Sequence, residues 1–412
     1  MEERMKLRNL FVAVGAAFAL AGAGPALPQG KEVKIAVIAP LSGPWARQGD
    51  LMLKGAQMAV DDINARGGIK SMGGAKMKLV VIDAGDNIEK AKNAAQRMVA
   101  QETDVVGCTG AWLSSFTLAV TEVTERAELP CVTLSYSDQI TARGFKYIFQ
   151  TSAPGSEQAK QALPTLLKLA QSAGRAPKNV AIVMDNTAAS VAFAKPMREG
   201  GGLANAGIKI LVDETFTPPL SDATALVQKV RSARPDLLFM LPTALPDDKL
   251  LIEKLNEFGL GKGKLPVVSN GSHIVAPELL NALGKEMLEG VMTVVGNARM
   301  KGQDALLAEY QKRTGEPFMT QETVSTYGDL LIFKEALERA KVADRKKVAE
   351  AIRAMDVTDG PAKYYPGGRV KFDEQGRRVG AELLIVQWQN GVPQTVFPEA
   401  AAVSKPVWPL KQ

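Results

Sequence analysis

The feature that most limits what this chain can fold into is a repeated alternation. Short, almost continuously apolar runs are each followed by a segment with helical hydrophobic spacing. KIAVIAP (34–40) leads to a predicted helix over roughly 50–65, where Leu51, Met52, Gly55, Met58, Ala59 and Ile63 share one face. KLVVID (78–83) leads to a helix from about Ile88 to Glu102, with Asp86 or Asn87 as its N-cap. VVGC and CVTLS follow, separated by a helix near 114–128. A strand that is apolar on both faces needs cover on both faces, so the pattern predicts an α/β fold with a parallel sheet between helical layers.

The alternation then restarts. NVAIVMD (179–185), IKILVDETF (208–216), DLLFML (236–241) and LPVVSN (265–270) read as strands, with helices near 188–206, 222–233, 247–258 and 277–283. Two successive β/α runs predict two doubly wound lobes rather than one large sheet, which 412 residues can accommodate. VMTVVG (291–296) is a further strand, followed by helices near 303–314, 322–341 and 345–355. The tail segment GGRVKFDEQGRRVGAELLIVQWQNG reads as two strand-like runs around a turn at Gln375–Gly376.

The N-terminus has a different character. MEERMKLR is rich in cations, NLFVAVGAAFALAGAG carries no charge, and small residues follow at Ala21, Ala23, Gly24 and Ala26. This is the pattern of a secretory signal peptide over residues 1–26; Pro25 and Pro28 argue against a membrane span. No cysteine stands directly after the apolar run to carry a lipid anchor, so a freely soluble periplasmic protein is expected. Cys108 and Cys131 are the only cysteines. If Cys108 ends one strand and Cys131 begins its parallel neighbour, they are offset by about four residues, roughly 13 Å at ~3.3 Å per residue. A bridge needs Cα atoms within ~7 Å, so two buried free thiols are expected.

Charge excludes one class of partner. The formal net charge of +6 is spread along the chain with no Lys/Arg block, which gives no support to nucleic-acid binding. No Cys/His/carboxylate cluster has metal-ligand spacing, and no phosphate-cradling glycine motif is present, so no metal or cofactor is expected. LSSFT (113–117) and TLSYS (133–137) each follow a predicted strand, where open parallel sheets bind ligands. Ser114 and Ser115 could be a nucleophile, a ligand cradle or a helix cap. A nucleophile needs a base within hydrogen-bond reach, and the chain has a single histidine, His273, with no G-x-S-x-G elbow around either serine. His273 follows the strand ending at Asn270 and reads as a solvated loop residue. A helix N-terminus with hydroxyls can hold a carboxylate without any cationic side chain.

The segment KIAVIAPLSGPWARQGDLMLKGAQMAVDDINARGGI, continued by VIDAGDNIEKAKNAAQRMV, resembles the opening of periplasmic solute-binding proteins of the branched-chain amino-acid ABC importer type. The likeness extends over nearly all of 33–390. It implies two Rossmann-like lobes joined by three crossover strands, near Phe149–Ala153, Gly290–Gly296 and Gly360–Gly368, with the ligand cleft between them. The first lobe would be 31–152 plus 295–360, and the second 153–294 plus 361–412. The resemblance implies that Ser114 and Ser137 hold a substrate carboxylate, that the Ser135 carbonyl accepts from its polar head, and that Ser115 lies beside them in the ligand-binding loop. It also implies an acid after the strand ending VVSN, where this chain has Asn270 and Gly271, and tyrosines near 188–190 and 243–244, where it has none. Gln48 stands at an aromatic position of the first loop. Trp45, Trp112, Tyr136 and Tyr327 are then available to pack on a larger body in a roomier cleft.

The function these features imply is a monomeric extracytoplasmic solute-binding component of an ABC importer. It closes on a small carboxylate-bearing solute, an amino acid or a related aliphatic or aromatic acid, and docks on an inner-membrane permease. The alternatives are a ligand-sensing regulator on the same fold and an exported serine hydrolase using Ser114.

Overall fold

The computed structural model describes residues 32–199 and 201–408; the expected signal segment lies outside them. The first apolar run forms β1 (Glu32–Ala39), followed by β2 (Lys76–Asp83), β3 (Val105–Gly110), β4 (Cys131–Thr133) and β5 (Ile148–Gln150). They make one parallel sheet in the order β2-β1-β3-β4-β5. Helix α1 (Ala46–Ala65) follows β1, and α2 (Ser114–Arg126) follows β3. The helix Ile88–Gln101 is capped by Asn87, whose side chain accepts from the Lys90 N–H.

The second series is β6 (Asn179–Asp185), β7 (Lys209–Phe216), β8 (Leu237–Leu241), β9 (Val267–Asn270) and β10 (Met292–Val295). Helix α3 (Ala188–Arg198) follows β6, and α4 (Leu245–Glu257) follows β8. Two later strands, β13 (Leu384–Gln389) and β14 (Val392–Phe397), extend this sheet to seven, in the order β14-β13-β10-β9-β8-β6-β7. β13 is antiparallel to β10, and β14 to β13. Ile182, Phe239 and Phe193 fill one side of this sheet, and Val183, Leu238 and Trp388 the other.

Between these strands the chain returns to the first lobe. Helix α5 (Gln321–Ala340) packs on α1, and Phe333, Leu337, Tyr365, Val370 and Phe372 join Ile35, Val37 and Phe149 in one core. Close approach of the two helices requires Gly55, because a Cβ there would sit 2.3 Å from the Thr323 carbonyl oxygen. The short strands β11 (Asp356–Val357) and β12 (Val370–Lys371) pair with each other on this lobe.

Three expectations change. The turn at Gln375–Gly376 forms, with a Phe372↔Arg378 bridge, but the runs around it part company. One joins β11, whereas the other enters the second sheet, where it turns back at Asn390–Gly391, both with positive φ, into β14. The third passage between lobes accordingly comes later than Gly360–Gly368, since Tyr365 to Phe372 still pack in the first core. It runs beside the first passage: Gln150 donates to Gly376 and accepts from Arg378.

The cysteine expectation is overturned. β3 does not end at Cys108 but continues through Gly110, and the three-residue β4 begins level with its middle. The parallel register sets Cys108 directly opposite Cys131, with Cα atoms 4.5 Å apart, and the two form a disulfide. Among the described residues no helix is long and apolar enough to cross a membrane.

Candidate functional site

The carboxyl ends of β3 and β4 face those of β8 and β9 across a narrow cavity. The free space between them is tight, on the order of what a few waters fill, and not the roomier cleft expected. The first lobe contributes Trp112, Leu113, Ser114, Leu134, Ser135 and Tyr136. The second lobe contributes Ala189, Thr243 and the run Asn270–His273. Gln321 and Glu322, in the first turn of α5, complete the wall.

Ser114 opens α2, whose N-cap, Leu113, offers no side-chain acceptor to the first N–H groups. The Ser114 Oγ accepts from the backbone N–H of both Tyr136 and Ser137, each at 3.0 Å. Both acceptor positions of the hydroxyl are thereby used, which leaves its O–H to donate. Trp112 just before it has a left-handed backbone, φ 63°, uncommon for a bulky residue. Its indole N–H donates to Glu322 at 2.8 Å, and its carbonyl accepts from Ser135 Oγ at 2.7 Å. The Ser135 carbonyl accepts from Gln150 Nε2 at 2.7 Å.

Tyr136 bridges two of the passages between the lobes. Its hydroxyl bonds Gln321 and accepts from the Gly296 N–H, and burial pushes the phenol well above its usual range. Gly296 is needed where two passages cross, because a Cβ there would lie 2.5 Å from the Ser152 hydroxyl oxygen.

The second-lobe wall is held by acids. Asp185, at the end of β6, accepts from the Thr243 hydroxyl at 2.6 Å and the Thr187 hydroxyl at 2.7 Å. His273 is not solvated: it is 2% exposed, and its Nδ1 lies 2.5 Å from Asp248 in the first turn of α4. Its Nε2 faces the Asn270 carbonyl at 3.1 Å. Both ring nitrogens meet acceptors, so the ring holds two protons. Burial works against that charge, but the Asp248 carboxylate overcomes it and raises the imidazole to about 9. Asp247 is pushed up to about 6, first by burial and then by repulsion from Asp248 and Asp185. Asn270 uses its amide N–H₂ on Gln158 and the Val294 carbonyl.

Of the residues singled out from sequence, Trp112, Ser114, Ser135, Tyr136 and Asn270 meet in the cavity. Ser115 instead accepts from the Ala188 N–H of α3 at 3.2 Å, a bond between lobes. Ser137 caps the short turn that follows it, bonding the Gln139 N–H. Trp45 packs edge-on to Phe116 in the first core. Gln48 is fully buried with both amide atoms unpartnered. Tyr327 points away, bonding Asp62 at 2.7 Å and packing on Tyr364.

Sequence reasoning missed Thr243, Gln321, Glu322 and the pairing of His273. A signal for two of them existed. QETVST opens a helix in which every residue from Gln321 to Leu330 is buried, and polar groups in a helix buried all round need partners.

Residues 32–393 match the periplasmic binding protein family. The chain is 30% identical over 405 residues to Leu/Ile/Val-binding protein homolog 7 of Brucella melitensis, covering 96% of this chain and 98% of that one. Its fold matches the branched-chain amino acid transporter substrate binding protein LivJ of Streptococcus pneumoniae, solved with isoleucine, with a TM-score of 0.76 at 21% identity. That match covers 91% of this chain and 100% of the other. A solute binding protein of an R. palustris ABC transporter, solved with benzoate, matches with a TM-score of 0.73 at 17% identity, covering 91% and 98%.

Proposed function

The chain belongs to the periplasmic binding protein family, and from that premise we propose that it closes on a small carboxylate-bearing solute in the periplasm. It is an extracytoplasmic solute-binding protein of ABC transport, not an enzyme. The solute is a branched-chain amino acid or a related aliphatic or aromatic acid. The protein is a monomer, exported by residues 1–26, and its closed form docks on an inner-membrane permease without binding nucleic acid. Among the described residues the lobes divide as 32–152 with 295 to about 375, and 153–294 with the tail to 408, because Tyr365, Val370 and Phe372 pack in the first core.

One observation carries the reading of the ligand. Ser114 accepts two backbone N–H groups, so it turns a donor toward the cavity at the uncapped end of α2. Hydroxyl, helix dipole and free N–H groups together favour an anion. Hydrolysis finds no support here, since both nitrogens of the chain's single histidine are engaged elsewhere.

The test is calorimetry of the purified protein with leucine, isoleucine, valine, benzoate and 4-hydroxybenzoate. At least one should bind one-to-one, and Ser114→Ala should weaken it by about 1–3 kcal/mol, the worth of a hydrogen bond to a charged group. Binding unchanged in that variant, or no binding by any of the five, would sink the proposal.

A further inference from the structure

We propose that Glu322 is the specificity-determining acceptor of this cavity, and that the solute therefore carries an ammonium group as well as a carboxylate. This rests on the reading above that Ser114 marks the carboxylate end.

Glu322 is 1% exposed and lines the cavity. Its Oε1 accepts from the Trp112 indole N–H at 2.8 Å and from the Ser272 hydroxyl at 2.5 Å, and its Oε2 accepts from the Thr320 hydroxyl at 2.6 Å. All three donors are neutral. A carboxylate has about four acceptor positions, so one on Oε2 is open to a ligand. A buried carboxylate without a cation is costly, and removing a partner from a buried charge pair is costly too. A ligand ammonium supplies the missing charge.

The surroundings push the same way. His273 is the cation of the cavity wall; Asp248 takes most of its charge at 2.5 Å, and Glu322 feels it only from farther away, with no direct bond to it. Asp185 stands behind Thr243, at 2.6 Å from its hydroxyl. A solute that is only an anion would add negative charge to a wall already negative, whereas a zwitterion matches a donor pole at Ser114 and an acceptor pole at Glu322. This also resolves the absence of an acid at Asn270–Gly271: the acid reaches the cavity from α5, on the first lobe. Because Ser272 belongs to the second lobe, its bond to Glu322 assembles only when the lobes meet.

The experiment compares matched pairs by calorimetry: leucine, isoleucine, valine and phenylalanine, each against its 2-oxo acid, on the unmodified protein and on Glu322→Gln. The expected result is that at least one amino acid binds on the order of 100-fold more tightly than its 2-oxo acid. Glu322→Gln should erase most of that preference while changing the 2-oxo acid by less than about threefold. A 2-oxo acid that binds the unmodified protein as well as its amino acid overturns the inference and leaves the carboxylate reading standing. So does a Glu322→Gln variant of unaltered melting temperature that keeps the full preference. Failure of every amino acid and every 2-oxo acid to bind overturns the carboxylate reading itself, and this inference with it.

Discussion

Single residues decide what the cavity can hold. Ser114 is fixed by what it accepts and Glu322 by what it lacks, so the two define opposite poles of a small polar pocket. His273 has a structural part in the same wall, and its sign can be worked out. The imidazole rises from an ordinary 6.5 to about 9 in the folded protein. Its contribution to stability is therefore complete below 6.5 and is lost as pH rises through 9, a change on the order of 3 kcal/mol. Thermal melts across that window should show the loss in the unmodified protein. In Asp248→Asn the imidazole keeps only the weaker pull of Glu322 and the Asn270 carbonyl against its burial, and most of the slope between those pH values should disappear. A slope that persists in the variant would assign the transition to another group.

At the scale of elements, the sheets are legible in the sequence because a strand covered on both faces carries few polar residues, as VVGC and DLLFML show. The serine loops are legible for a related reason, since polar residues directly after such strands have one place to go. Register is not legible. Whether Cys131 lies level with Cys108 depends on where a loop releases the chain, and a shift of a few residues separates a disulfide from two thiols. Glu322 escapes because packing of α5 on α1, through Gly55, brings it to strands some 200 residues earlier. Two outcomes follow from the disulfide. Thiol titration of the denatured, unreduced protein should find no free thiol. Replacing both cysteines by serine should lower stability by roughly 3 kcal/mol, the value for a closed loop of about this length. Two titratable thiols would contradict the bond.

At the scale of the molecule, the lobes meet through more than the cavity. Arg47 hydrogen-bonds Asp50 and Glu316 on its own lobe, at 2.5 and 2.6 Å, and forms an ion pair with Glu278 on the other at 2.7 Å. Glu278 is 42% exposed, so this link is worth at most about 1 kcal/mol. Glu278→Gln should then speed solute release by no more than about fivefold, and should reduce the effect of added salt on that rate. Stopped-flow release at low and high salt would show it; an unaltered rate and salt response would remove Arg47 from closure. Closure around a two-ended solute is the central claim, and a crystal structure with the tightest-binding amino acid tests it most directly. The expected result is a solute between the lobes, its carboxylate about 3 Å from Ser114 Oγ and its ammonium equally close to Glu322. A solute bound elsewhere, or one whose carboxylate faces Thr243 and His273, would contradict it.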